Sequence, residues 1–250
     1  MKGRTHMLRT SWLMGCLVFA VAAPCSAQQS PSIKETLEMV MRDYPDSDAE
    51  LSKNPNYQAH KRGDEKLRLG EYSAAMREFE NAISLKPDDR VAYLKKGEAL
   101  MLSGRPAEAI AAYSKSIELS KRGDVWMWAP HLQMGAALAV LGRFDEAEKS
   151  FSRSLALNPT AQGYTGRANT ILNRRGALDE GQYEQAFADL DASLKLAPKV
   201  AYTWVTKGIL LMRLNYEADE PHLDEACSAL EQACRLGECK TLEQYKECEP

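Results

Sequence analysis

Four cysteines, Cys227, Cys234, Cys239 and Cys248, stand in the stretch ACSALEQACRLGECKTLEQYKEC and form the densest set of reactive side chains in the chain. Thiols gathered this closely ligate a metal, exchange electrons or staple segments together. Zinc favours C-x-x-C pairs at matched spacing, and a thioredoxin-like centre needs a C-x-x-C beside a strand and a helix. The intervals here are seven, five and nine residues, which fits staples best and keeps thiol redox or metal handling as the alternative. His60 and Asp64 are the other suggestive pair, at the i, i+4 spacing of one helical face, where a surface contact is the plainer reading. His131 and His222 stand apart from them, and no nucleophile elbow, phosphate loop, dinucleotide fingerprint or H-E-x-x-H motif occurs. The chain reads as non-catalytic, with no cofactor and no metal.

The compartment decides what thiols do. Residues 1–27 carry Lys2, Arg4 and Arg9, then an apolar run from Trp12 to Ala23 and a small residue at Ala27, the layout of a signal peptide cut before Gln28. That run is shorter than the roughly 20 residues a membrane-spanning helix needs. A lipid anchor on Cys16, in Leu13-Met14-Gly15-Cys16, is the rival reading, although cleavage there leaves almost no apolar segment ahead of it. Export places the protein in the periplasm or outside the cell, where oxidising conditions pair thiols. Cys16 and Cys25 leave with the leader and an even four stay, while loss of three positive charges takes the formal charge from −3 to −6. An acidic chain whose bases are interspersed with acids argues against nucleic acid and anionic lipid as main partners.

The elements that carry these residues repeat. Five 16-residue windows align without gaps, beginning at Tyr72, Pro106, Phe144, Tyr183 and Leu223. Each has an alanine at its fourth position (Ala75, Ala109, Ala147, Ala186, Ala226), followed after four residues by Phe79, Tyr113, Phe151, Leu190 or Leu230. Four further on comes Ile83, Ile117, Leu155, Leu194 or Cys234, so these positions share one helical face. Upstream of each window lies a second helical pattern with a small residue at its fifth place: Gly63, Gly97, Gly135, Ala168 and Gly208. Glycine inside a helix costs about 1 kcal/mol unless close contact between helices offsets it.

This two-helix unit resembles the tetratricopeptide repeat (TPR), whose closing proline recurs here as Pro87, Pro159 and Pro198, with Lys121 and Glu238 departing from it. The resemblance implies an all-α fold, a right-handed α-solenoid of about five helix hairpins. It divides the chain into a signal peptide (1–27), an N-terminal helical segment (28–55), repeats near 56–89, 90–123, 128–160, 161–199 and 201–236, and a cysteine-rich cap (237–250). Arg62, Lys96, Arg167 and Lys207 stand where the family usually has leucine, and are expected to snorkel to the rim. Repeats four and five carry extra residues in NRRGALDEGQ and NYEADEPH, expected as protruding loops, either tolerated or used for binding. The Trp126 and Trp128 pair in the long link before repeat three either plugs a gap or anchors a partner. In the N-terminal segment, Ser32 and Glu35 form a capping box, and the stripe Ile33, Leu37 and Val40 either covers the first repeat or dimerises.

By the same resemblance the first helix of each repeat lines a concave face, which implies a groove built from Tyr57, His60 and Asp64; Val91, Leu94, Glu98 and Met101; Leu132, Ala136 and Ala139; Thr165, Asn169 and Leu172; and Tyr202, Val205, Ile209 and Met212. The Lys and Asn that clamp a peptide carboxylate in some TPR grooves are missing, since His60, Asp64, Leu94 and Glu98 hold those places. An apolar groove suits an amphipathic helix or an extended apolar peptide; the plainer reading buries much of this stripe between helices. At the far end, Cys227 and Cys234 occupy positions that pack on the next helix of a solenoid, and terminal repeats need a cap. If the tail folds back after Gly237, Cys234 faces Cys239 and Cys227 faces Cys248, one of three possible connectivities. The expected function is a scaffold or assembly factor of the bacterial envelope, holding another envelope protein or peptide.

Overall fold

Ten α-helices follow one another among the described residues, paired as hairpins: α1 (Pro55–Arg68) with α2 (Tyr72–Leu85), α3 (Arg90–Leu102) with α4 (Pro106–Leu119), and α5 (Trp128–Val140) with α6 (Phe144–Leu157). Then come α7 (Ala161–Leu172) with α8 (Glu180–Leu196), and α9 (Ala201–Ala218) with α10 (Leu223–Arg235). This computed structural model describes residues 53–121, 124, 126–174, 176–218, 222–245 and 248. Residues 1–27, expected as a signal peptide and holding Cys16 and Cys25, and the segment holding Ser32, Glu35, Ile33, Leu37 and Val40 lie outside the described residues. Each helix packs on the one before and the one after it, which is the stacking of an α-solenoid.

Local chemistry starts and stops these helices. Asn54 caps α1 by accepting from the amides of Asn56 and Tyr57, and Asp89 caps α3 by accepting from Val91 and Ala92. Pro106 sits in the first turn of α4, where its missing N–H costs nothing. Between the helices of the second hairpin the chain reverses at Gly104, whose φ of 75° an L side chain adopts only with strain.

The hairpins close by placing a ring in a notch. A Cβ on Gly63 would lie 2.5 Å from the Phe79 ring, and one on Gly97 would lie 2.3 Å from Tyr113. Gly135 faces Phe151 and Gly208 faces Leu230 in the same way. The alanines of the repeat, Ala75, Ala109, Ala147, Ala186 and Ala226, have no exposed surface at all. A second tie was missed in the sequence although it recurs visibly at the eleventh place of the windows. Ser116 Oγ donates to the Arg90 carbonyl at 2.8 Å, Ser154 Oγ to that of Trp128 at 2.9 Å, and Ser193 Oγ to that of Ala161 at 3.1 Å.

Several expectations need correction. Arg62, Lys96, Arg167 and Lys207 do not simply reach for water; each finds a carboxylate. Arg62 pairs with Glu78 and Arg167 with Asp189, inside their own hairpins. Lys96 and Lys207 instead reach back to Glu80 and Asp191 of the preceding hairpin, because Ala112 and Ala229 occupy the places that hold Glu78 and Asp189 elsewhere. The insertions are not wholly loops. A capping box between Asp179 and Gln182 starts α8 three residues before the Tyr183 window. The apolar period continues through Leu210 and Leu214, which pack on the core of hairpin four, and α9 runs 18 residues. Of the tryptophan pair only Trp128 is partly buried; Trp126 is exposed, so it plugs nothing.

Beyond α10 the chain turns at Gly237 and forms no further α-helix among the described residues, only a single 3₁₀ turn, Leu242–Gln244. So few residues cannot hold an α-helix by themselves. Leu242, Tyr245 and Cys248 pack against Leu211, Met212, Ala226 and Leu230, the place a following hairpin would take. Cys227 and Cys248 lie at disulfide distance with Cα atoms 5.1 Å apart, and so do Cys234 and Cys239 at 4.0 Å. That is the nested order.

Candidate functional site

First helices α5 and α7, with the start of α9, enclose a concave cavity of about 670 Å³. It brings together Leu132, Ala136 and Ala139 from α5, Thr165 and Asn169 from α7, and Tyr202 from α9, all of them expected groove positions. Small residues give it depth: Gly166 and Ala136 keep the wall low, while Phe144, Phe151 and Val200 supply apolar surface. Among the described residues its polar lining is limited to hydroxyls and amides, including Gln133, Gln162, Asn169 and Asn173, and none of them brings a carboxylate or cationic side chain to it.

Underneath, three hydroxyls lock three helices to one another. Thr165 Oγ1 lies 2.8 Å from Ser193 Oγ and 2.9 Å from Thr203 Oγ1, all buried. Arg167, two residues further along α7, forks onto Asp189 with Nε and Nη2 at 2.8 and 2.7 Å and also donates to Ser152 Oγ. Asp189 is only 2% exposed. The hydrogen bond to that carboxylate raises the guanidinium pKa, against the opposing effect of burial. Half the surface of Tyr202 is exposed (52%). Burial of its remainder pushes the phenol pKa up, opposed by hydrogen bonding with Thr206 and Asn169.

The remaining expected positions do not join this cavity. Tyr57, His60 and Asp64 line a separate cleft of about 360 Å³ on α1. His60 does not pair with Asp64: its Nε2 lies 2.9 Å from Asp89 Oδ2, and Asp64 pairs with Lys95. Spacing on one helix could not reveal this, since Asp89 belongs to the next hairpin. Asp89 is 7% exposed, and although burial opposes it, bonds from His60, Asn56 and the α3 amides hold its carboxyl far below the usual range. Leu94 and Met101 pack on the core of hairpin two, Glu98 pairs with Lys95, and Val91 is exposed. Val205 and Met212, at 7% and 2% exposed, are core residues and cannot offer a surface to a partner. The buried reading holds for these two, at Met212 because the cap and α10 cover α9 there. Ile209 borders a third cleft of about 450 Å³, shared with Asn169, Arg213, Tyr216 and Tyr245 of the cap. Through Asn169 it adjoins the central cavity.

Among the described residues no three His, Cys, Asp or Glu side chains converge as metal ligands. None of the described helices is long and apolar enough to cross a membrane. Tetratricopeptide repeat models match residues 60–123 and again 128–161, spanning hairpins whose geometry is described above. The chain belongs to the tetratricopeptide repeat family. No curated protein sequence matches this TPR chain. Solved TPR structures do match its fold. PilW, a type IV pilus biogenesis factor, aligns at TM-score 0.63 and 21% identity over 84% of this chain and 93% of its own. MamA from Desulfovibrio magneticus RS-1 aligns at TM-score 0.59 and 17% identity, over 75% and 97%. YrrB, described as a TPR protein with an unusual peptide-binding site, aligns at TM-score 0.56 and 14% identity, over 84% and 97%. At such identities the likeness is one of fold. TPR arrays are interaction scaffolds that present an extended concave surface.

Proposed function

We propose that this TPR protein is a non-catalytic scaffold of the bacterial envelope that holds an uncharged, apolar peptide or helix of another envelope protein in the cavity between α5, α7 and α9. The observation that carries the reading is the lining of that cavity: apolar walls, amides for a backbone to bond, and no charge to match an ionic ligand. Apolar grooves take amphipathic helices or extended apolar segments. A peptide-binding site in YrrB and a role in pilus biogenesis for PilW support the reading by analogy. The signal-like residues 1–27 support action in the periplasm or outside the cell, where both cysteine pairs would be oxidised.

A photo-cross-linking residue at Ala136, in cells fractionated before capture, tests this. The expected result is an envelope partner captured at Ala136 but not at Asn81, an exposed position on α2, and lost when Ala139→Glu, in the same cavity, is added to a chain that keeps its helical circular dichroism. Capture of the same partner at Ala136 in the presence of Ala139→Glu, or recovery of the protein in the cytoplasmic fraction with residues 1–27 intact, would sink it.

A further inference from the structure

On the outer face, α4 and α6 flank a cleft of about 430 Å³ that opens over the back of α5. Its apolar part is Ile110, Met134 and Leu138. Arg143, Lys149 and Arg153 stand around it with one acid, Glu146, which leaves a surplus of two positive charges. Arg143 holds Glu146 through two bonds of 2.7 Å, and Lys149, one turn before Arg153 on α6, acts on that carboxylate through its charge alone. Two polar groups bordering the same cleft are buried without a hydrogen-bond partner: the Ser150 hydroxyl and His131 Nδ1. Ser150 is 4% exposed.

A buried hydroxyl left unpaired is destabilising, and hairpins one and four avoid that cost at the equivalent place. There the second helix carries Glu78 or Asp189, matched by Arg62 or Arg167. Hairpin three has Ser150 opposite Met134 instead, beside two cations. The same site on three hairpins is therefore neutralised internally in two and left short of an acid in the third.

We infer that this cleft binds a carboxylate carried on an apolar body. The carboxylate oxygens sit between Lys149 and Arg153 and accept from the Ser150 hydroxyl, while the apolar body lies on Ile110, Met134 and Leu138. Either a free organic acid or an acidic side chain between apolar residues of a peptide supplies that chemistry. The site is on the face opposite the concave cavity, and its fate is independent of the reading given for that cavity.

The full chain is titrated with hexanoate and with N-acetyl-Leu-Glu-Leu-amide while the His131 ring is followed by NMR. Burial and then the charge of Arg153 hold the His131 pKa below its ordinary value, and a carboxylate beside Arg153 raises it. A saturable upward shift is expected, weakened about tenfold or more in Lys149→Ala/Arg153→Ala and several-fold in Ser150→Ala. Arg77→Ala, an exposed base on α2, leaves it unchanged. Tighter binding of the peptide identifies a protein carboxylate as the ligand, and tighter binding of hexanoate a free acid. No saturable shift with either probe, or an equal response from the double variant, overturns the proposal. Inorganic phosphate binding as tightly as hexanoate overturns the apolar body.

Discussion

Hairpins two and four join their helices by different means. In hairpin two the Tyr113 ring lies in the notch left by Gly97, and Lys96 forms its ion pair with Glu80 of the preceding hairpin rather than across the joint between α3 and α4. In hairpin four the notch is shallower, Ala168 opposite the smaller Leu190, and the joint between α7 and α8 is closed by the buried fork of Arg167 on Asp189. One repeat spacing thus tolerates both a steric and an electrostatic lock. The two locks should fail differently.

The largest effect is expected at the electrostatic one. Arg167→Met leaves Asp189 charged and without its partner in the interior, a loss of about 3–5 kcal/mol. Urea unfolding checks it, and adding Asp189→Leu should recover most of the loss, since a buried pair replaced whole costs little. A double variant as unstable as the single one would mean that the pair does more than neutralise itself. The steric lock comes next. Gly97→Ala gains helix propensity of about 1 kcal/mol but forces the Tyr113 ring to move, and overpacking of this kind costs about 1–3 kcal/mol. A net destabilisation is expected, where Ala168→Gly on hairpin four should cost no more than the propensity difference. Smaller still is the acid response of the joint between hairpins one and two. The Asp89 carboxyl has a depressed pKa, so its contribution is complete above the ordinary aspartate value and is lost as pH falls below about 4. Asp89→Asn should flatten that limb of a stability-against-pH curve. The smallest effect is Arg62→Ala, the exposed counterpart of Arg167, whose unfolding midpoint should stay within error because a surface pair contributes little.

The same contrast shows how far the sequence carries. Periodicity of four found the α2, α4, α6, α8 and α10 faces because burial of one stripe imposes it, and Gly97 with Tyr113 could be foreseen as a close approach. Arg167 was read as a rim residue because its partner lies 22 residues away on another helix, and nothing local marks Asp189 as buried. His60 was matched to Asp64 for the same reason, when the nearer carboxylate in space is Asp89. The groove was half visible. Leu132, Ala136, Asn169 and Tyr202 meet in one cavity, whereas Val205 and Met212 fell to the core, Met212 because the cap, which has no counterpart in the repeat, covers that end. Ser116, Ser154 and Ser193 could have been found, since they recur at one register of the windows; a hydroxyl that binds a backbone carbonyl leaves no hydropathy signal.

The uncharged lining of the central cavity bears on where such a scaffold can work. Recognition that uses no ion pairs is not screened by dissolved electrolyte. A complex formed there should dissociate equally slowly in dilute medium and in brine, so the protein keeps its grip when the salinity around it changes.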